Sequence, residues 1–373
     1  APRVSVVIPC LNEAENIEEC VRRAYDVLTK AGLSGEVIVV DNGSDDGSGE
    51  IARTCGATVI DEPRRGYGQA YRTGFDAAAG DYIVMIDADL TYDFEEIPRF
   101  VAELDAGAEL VMGNRMDNIE PGAMSVLSRI GNPILTGFLN LVHGSPVKDA
   151  HCGLRAVRRD VLPALDLRST GMEFASEMVI RAAKASLDVR ELPIDLRRRG
   201  GESKLSPFRD GWRHLRLILV YSPTALFIVP GLAMVVVGAV LQLAVFAHVS
   251  LFGRTWYLHT LIAGAALVMM GAQVIGLGLC GRAYATFVMG ERDAWFERVG
   301  RRFGLEHALL VALGVGIAGV ALGAAVIVNW ISHGFGSLGE EGLAVVAMTL
   351  VVTGIQIFFT SFLISLLGLR RQS

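Results

Sequence analysis

Asp87 and Asp89 stand one residue apart, directly after the apolar run Tyr82-Ile83-Val84-Met85-Ile86. A strand that ends on alternating acids can turn both carboxylates toward one hard divalent cation. Mg²⁺ or Mn²⁺ is held in this way, by one or two carboxylates together with phosphate oxygens. Such a cation neutralises a departing diphosphate. A solvated strand end is the plainer reading of the triplet, and its place behind an apolar run favours the metal reading.

Other segments supply matching chemistry. Asp41-Asn42-Gly43-Ser44-Asp45-Asp46-Gly47-Ser48 is an acidic, glycine-rich turn. Asp41 there can accept from a base N–H or a ribose hydroxyl, while Ser44 or Asp46 can cap a helix. Arg64-Arg65-Gly66-Tyr67-Gly68-Gln69 sets cations at a helix start, a natural diphosphate contact. Arg197-Arg198-Arg199-Gly200-Gly201-Glu202-Ser203-Lys204 is either a clamp for a lipid phosphate or a solvated basic patch beside a membrane.

The elements that must position these groups alternate between strand and helix. Strands are expected at Val4–Pro9, Glu36–Asp41, Ala57–Ile60 and Asp81–Asp87. Helices are expected at Glu13–Leu28, Gly49–Cys55 and Gly68–Ala79. That order implies an α/β fold with a mostly parallel sheet. Ligands bind at the carboxyl ends of such strands, where Pro9 to Asn12, Asp41 to Asp46, and Asp87 to Asp89 fall. No G-x-G-x-x-G follows the first strand, which disfavours a dinucleotide fold, and no G-x-x-x-x-G-K-S/T occurs.

The second half is different in kind. The chain has 373 residues, 51% of them hydrophobic, and a mean hydropathy of +0.42, too apolar for a soluble protein of this length. Four windows near 224–247, 258–280, 308–328 and 343–367 are long enough to span a bilayer, which takes roughly 20 residues each. Loop arginines concentrate between the second and third windows, at Arg282, Arg292, Arg298, Arg301 and Arg302. The positive-inside rule then places that loop and both termini in the cytosol. No signal peptide precedes the first strand, so the N-terminal domain is expected to stay there too. Amphipathic stretches at 207–221 and 291–303 interleave aromatic residues with arginine and suit a lipid interface. The expected layout is a domain at 1–205, an interfacial helix at 206–222 and a membrane domain at 223–373. A net charge of −6 argues against nucleic acid as a partner, and five scattered cysteines suggest neither a disulfide framework nor zinc.

Together these residues resemble glycosyltransferase family 2 enzymes of GT-A fold, and within them the polyprenyl-phosphate sugar synthases of the dolichol-phosphate mannose and glucose synthase type. Val6-Val7-Ile8-Pro9-Cys10-Leu11-Asn12-Glu13 is similar to the family's first strand and loop. The Asp41 turn is similar to its V-D-D-G-S-x-D-G-S/T motif, and Asp87-Ala88-Asp89 to its D-A-D motif. Gly113-Asn114-Arg115, Asp149 to Arg155, and Gly171-Met172-Glu173-Phe174 fall where the family has acceptor-side motifs.

The resemblance implies an inverting transfer of a hexose from a nucleotide-sugar to polyprenyl phosphate, at a multi-pass cell (inner) membrane protein. UDP-glucose is the first expectation for the donor and GDP-mannose the second. Pro9, Asn12, Glu13, Asp41, Asn42, Ser44, Arg65, Gly66, Asp87 and Ala88 would hold the nucleotide-sugar. Asp87 and Asp89 would hold the metal, Mg²⁺ or Mn²⁺. Arg115, Arg155, Arg199, Ser203 and Lys204 would hold the acceptor phosphate. Asp89, Asp149 and Glu173 are the catalytic candidates, the last two as a general base. Asn42 replaces the usual second Asp and removes a charge near the nucleotide. Thr91 stands where mannose synthases often have a metal-binding Gln. A homo-oligomer is compatible with this layout. Two rivals remain: a processive polysaccharide synthase, disfavoured by the absence of Q-x-x-R-W, and a flippase or membrane partner with a dead transferase domain.

Overall fold

The computed structural model describes residues 1–199, 207–251, 254–255, 257–287, 296, 298, 304–335 and 340–369. The chain forms two units, Ala1–Tyr221 and Ser222–Ser373.

In the first unit the order is β1 (Val4–Cys10), α1 (Ile17–Lys30), β2 (Gly35–Asp41), α2 (Ser48–Thr54), β3 (Thr58–Asp61), α3 (Tyr67–Ala77) and β4 (Tyr82–Met85). Then come α4 (Ile97–Asp105), β5 (Leu110–Ile119), α5 (Val126–His143), β6 (Arg155–Arg158), α6 (Leu162–Leu165), α7 (Phe174–Lys184), β7 (Val189–Leu196) and α8 (Pro207–Val220). The strands make one seven-stranded sheet of order β3-β2-β1-β4-β6-β5-β7. Only β6 among them runs antiparallel to its neighbours.

Alternate residues of the central strands feed two apolar layers. Val4, Val6 and Ile8 of β1 and Val37 and Val39 of β2 join Ile17, Val21 and Leu28 of α1. Val7, Ile38 and Val40 face the other way, toward Tyr71 of α3 and Phe174 and Met178 of α7. Strands buried on both faces explain why their sequences read as unbroken apolar runs. Helix α1 starts at Ile17 rather than Glu13. The residues before it are taken up by a turn in which Asn16 N–H and Ile17 N–H both donate to the Glu13 carbonyl. Strand β4 stops pairing at Met85, so Asp87 and Asp89 lie on the loop beyond the sheet.

The pair α5 and α8 carries apolar side chains that the unit does not cover. On α5, Val126, Leu127, Ile130, Ile134 and Leu141 are exposed, and on α8 Phe208, Trp212 and Val220 are. Inward, His214 and Ile218 of α8 are buried, and the His143 imidazole meets the Ile218 carbonyl at 3.0 Å. The aromatic stripe of α8 is thus turned away from the unit it belongs to.

The second unit contains α9 (Val229–Phe246), preceded by a short π turn over Thr224–Ile228, then α10 (Leu258–Phe287), α11 (Leu305–Ser332) and α12 (Glu341–Leu369). Among the described residues four spans, Thr224–Phe246, Leu258–Phe287, Leu305–Ser332 and Glu341–Gly368, are long and apolar enough to cross a membrane. Helices α9 and α10 touch at their backbones. A Cβ on Gly238 would lie 2.5 Å from the Gly264 carbonyl oxygen, and one on Gly271 would lie 2.5 Å from that of Gly231. Small residues permit such close approach where lipid offers no hydrophobic drive to associate. The interfacial helix expected at 291–303 lies outside the described residues except for Phe296 and Arg298.

Candidate active site

The ends of β1 and β2 are laced together by side chain to backbone bonds. Asn12, at φ 52°, donates its N–H to Ser44 Oγ and accepts the Asp45 N–H on its Oδ1, both at 2.9 Å. Glu13 N–H donates to Ser48 Oγ, and Ala14 N–H to Asp46 Oδ2. Asp41 accepts the Ser44 N–H at 2.9 Å on Oδ1. Its Oδ2 lies where a Cβ on Gly49 would come within 2.5 Å, so any side chain at that place in the first turn of α2 would push the Asp41 carboxylate aside. Pro9, paired with Val40, is the half-buried floor of this loop pair.

Asn42 is a correction. It was expected near the nucleotide, but its side chain is buried and spent on the β3–α3 loop. Its Nδ2 donates to the Glu62 and Arg64 carbonyls at 2.9 and 2.8 Å, and its Oδ1 accepts the Gly66 N–H at 2.6 Å. An aspartate has no hydrogen to give those carbonyls. Glu62 holds the same loop from below, accepting from Arg64, Gln69 and Thr73. The Arg64 bond, then those of Thr73 and Gln69, hold its carboxyl far below the usual range. Arg65 is exposed and reaches back to the Gly43 carbonyl. Gly66 is required by contact, since a Cβ there would lie 2.1 Å from the Thr170 carbonyl oxygen.

Asp87 and Asp89 sit on the loop after β4 with buried Ala88 between them. Asp87 Oδ1 accepts from Tyr67 Oη at 3.0 Å and Tyr71 Oη at 3.3 Å. Burial pushes both phenols well above their ordinary values, so they remain donors. Burial and then the charge of Asp89 push Asp87 up to about 7, against the Tyr67 bond. Asp89 Oδ1 accepts from the Thr91 N–H and hydroxyl at 3.1 and 2.5 Å. Thr91 therefore orients Asp89. Asp89 Oδ2 lies 3.3 Å from Arg199, which also donates to Glu13 at 2.8 Å. Among the described residues the buried Nε of Arg199 has no hydrogen-bond partner. Among the described residues no group of three His, Cys, Asp or Glu side chains gathers to hold a metal. A cation at Asp87 and Asp89 would complete its shell from phosphate and water, as Mg²⁺ commonly does.

On the far side of the Asp pair, charges are spent on one another. Arg115 Nε and Nη2 grip Asp149 at 2.7 and 3.0 Å, while Nη1 reaches Tyr92 Oη at 3.3 Å. Asp149 is 1% exposed and also accepts the His151 N–H. Burial alone would raise its pKa, but Arg115 outweighs it and holds the carboxyl below its ordinary value. A general base placed there would be both walled in and too acidic, so Asp149 is corrected to an anchor for Arg115. Arg155 is corrected as well. It is fully buried, and its guanidinium donates to the Cys152, Ala175 and Ala150 carbonyls at 2.9, 2.8 and 2.8 Å. Three of its five N–H groups are spent on these carbonyls, and full burial keeps the whole fork away from solvent. Glu173 precedes α7, half-buried, with Oε2 folded against Gly171 and lacking a hydrogen-bond partner. Ser203 and Lys204 lie outside the described residues. Glu62 was not anticipated, and Tyr67 was read only as part of the Arg64–Gln69 diphosphate segment, not as a partner of Asp87.

This sheet order, with carboxylates at the ends of β1, β2 and β4, defines a GT-A type transferase. The chain belongs to glycosyltransferase family 2. Residues 5–165 match the glycosyl transferase family 2 profile, and 279–368 match the glycosyltransferase family 2 C-terminal transmembrane region, so it is a membrane protein. It is 40% identical over 371 residues to the low-salt glycan biosynthesis hexosyltransferase Agl6 of Haloferax volcanii, across 99% of this chain and 90% of that one. It is 38% identical over 211 residues to the dolichyl-phosphate hexose transferase of the same organism, across 56% and 89%. The fold also matches glucosyl-3-phosphoglycerate synthase from Mycobacterium tuberculosis, solved with Mn²⁺, UDP-glucose and phosphoglyceric acid. There the TM-score is 0.51 and the identity 22%, covering 59% of this chain and 80% of that one.

Proposed function

We propose that this enzyme transfers a hexose from a nucleotide-sugar to polyprenyl phosphate, giving a polyprenyl-phospho-sugar. UDP-glucose is the first donor expected and GDP-mannose the second. The observation that carries the reading is Arg199. It lies against Asp89 and Glu13 with a buried Nε–H unspent, immediately before the segment that leads into α8. A buried donor without a partner costs about 1–3 kcal/mol, which a phosphate oxygen would recover. The dolichyl-phosphate relative at 38% identity supports a lipid phosphate as the acceptor.

Asp41, with Asn12 and Ser44 fixing its loop, would read the base and ribose. Arg65 and Gly66 would face the diphosphate. Asp87 and Asp89 fit Mg²⁺ or Mn²⁺, which supplies positive charge for the leaving diphosphate. Tyr67 and Tyr71 hold Asp87 Oδ1 in place, and Thr91 holds Asp89 Oδ1. Arg199 and the adjoining Ser203 and Lys204 would hold the acceptor. A phosphate monoester has a second pKa near 6 and is largely a dianion at pH 7, so positioning cations matter more than a base. With Asp149 engaged by Arg115, Glu173 is the carboxylate left for any proton. The exposed apolar stripes of α5 and α8 would rest on the lipid surface, with the catalytic unit on the cytosolic face.

A thermal-shift screen of nucleotide-sugars with Mn²⁺, followed by transfer to polyprenyl phosphate in lipid nanodiscs, tests the proposal. Donor-dependent transfer to the lipid is expected. A polymeric sugar product, or stabilisation by no nucleotide-sugar, would sink it.

A further inference from the structure

A buried carboxylate ties the last residue of the catalytic unit to the loop assigned above to the donor. Glu177, on α7, is fully buried. Its Oε1 accepts the Tyr221 hydroxyl at 2.6 Å, and its Oε2 accepts the Arg168 and Ser169 N–H groups at 3.0 and 2.7 Å. Tyr221 follows α8 directly and ends the first unit. Arg181 lies over its ring at 5.1 Å and Lys184 at 5.2 Å, so the ring is gripped as well as hydrogen-bonded.

The backbone that Glu177 holds is the one on which α3 begins. Thr170 O accepts the Gln69 N–H at 3.1 Å. A Cβ on Gly66 would lie 2.1 Å from Thr170 O, and one on Gly68 would lie 2.4 Å from Ser169 O. The 168–170 strip is therefore pressed against the Gly66–Gln69 turn with no spare room. Tyr67, inside that turn, donates to Asp87. One continuous set of contacts thus runs from Tyr221 through Glu177 and residues 168–170 to the turn beside the Asp pair.

We infer that Glu177 and Tyr221 are positioning residues for the donor, setting the place of the Gly66–Gln69 turn from the end of α8. The inference rests on the donor reading of that turn. Neither residue touches the donor, so the effect must pass through the 168–170 backbone. Gln at 177 keeps the volume of Glu but offers one acceptor oxygen where two are used. Phe at 221 removes only the hydroxyl.

The test uses the full chain in nanodiscs with three variants, Glu177→Gln, Tyr221→Phe and the double. Affinity for UDP and for GDP with Mn²⁺ is measured by calorimetry, and KM for donor and for polyprenyl phosphate by transfer. Glu177→Gln is expected to weaken the tighter nucleoside diphosphate about tenfold and Tyr221→Phe about threefold. The acceptor KM stays at the wild-type value. The double variant is expected to match Glu177→Gln alone, because both substitutions cut the same path. Unchanged nucleotide affinity, multiplying effects, or donor and acceptor KM rising together with a fall in thermal midpoint would each overturn the inference. If the wild type binds a nucleoside diphosphate but transfers nothing to polyprenyl phosphate, the acceptor assignment fails while the calorimetric arm still decides this one. If it binds neither nucleotide, the donor turn and this inference fall together.

Discussion

The two sides of the Asp87–Asp89 loop treat charge in opposite ways. On the β1–β2 side, Asp41, Asp46 and Asn12 are fixed by backbone N–H groups and hydroxyls, which orient without neutralising. On the β5–β6 side, Arg115 and Asp149 cancel each other and Arg155 is consumed by three carbonyls. Charged residues of similar type therefore do different work. One side leaves its polar groups oriented but not neutralised, as the proposed donor site requires, and the other uses them as internal struts. A buried pair of that kind is poor evidence for stability gained, yet removing one partner is costly.

The largest effect should come from the presenting side. Asp89→Ala is expected to lower transfer by about a thousandfold or more, since one of the two carboxylates proposed to hold the cation is lost. Metal-dependent transfer at a sizeable rate in that variant would break the metal assignment. On the strut side, Arg155→Met should cost about 3–5 kcal/mol of stability by stranding buried carbonyls. Its thermal midpoint should fall while donor affinity per folded molecule is kept. A stable variant with a raised acceptor KM would instead return Arg155 to the phosphate site. Asn42→Asp sharpens the boundary between the sides. It should weaken donor binding about tenfold through the loop it no longer holds, and calorimetry with UDP or GDP and Mn²⁺ reads it.

The smallest effect concerns pH. His214 is buried against Ser176 Oγ at 2.8 Å and next to His151, with ring centroids 4.5 Å apart. Burial pulls His214 down to about 4. An unfolded histidine titrates near 6.5, so between these values the unfolded chain binds the extra proton. Stability is then lost as pH falls from 6.5 toward 4, at up to about 1.4 kcal/mol per pH unit for this group. Asp210 faces His214 favourably, while Arg155 and Arg213 oppose its charging. His214→Gln should flatten that part of the curve of thermal midpoint against pH. An unchanged slope would show that His214 is not the group that titrates.

Much of the β1, β2 and β4 framework that carries the proposed donor residues was legible because its signals are local. An apolar run ending on Asp87-Ala88-Asp89, and a glycine-rich turn after Val40, carry their meaning in adjacent residues. The strut side was not, because burial depends on what the rest of the chain brings. Nothing in the spacing of Arg155 says that Cys152, Ala150 and Ala175 will turn three carbonyls toward it. Asn42 looked like a lost charge at the nucleotide, and only the return of the 62–66 loop shows why an amide is needed. The exposed apolar stripe of α5 was missed for a related reason. Val126, Ile130 and Ile134 repeat at helical spacing, and a pattern alone does not say whether its stripe faces core or solvent.

The backbone contacts between α9 and α10 bear on how the membrane unit is made. Gly231, Gly238, Gly264 and Gly271 interlock two helices joined only by the short 247–257 connection. The seam itself is made by residues of α9 and α10 alone, while another face of α10 packs on α12, where a Cβ on Gly276 would lie 2.9 Å from the Thr360 hydroxyl. Because the seam joins consecutive spans, it can form before the last span has emerged from the ribosome. A side chain at any of these glycines would then act on biogenesis, lowering the yield of inserted enzyme without touching the chemistry of the molecules that succeed.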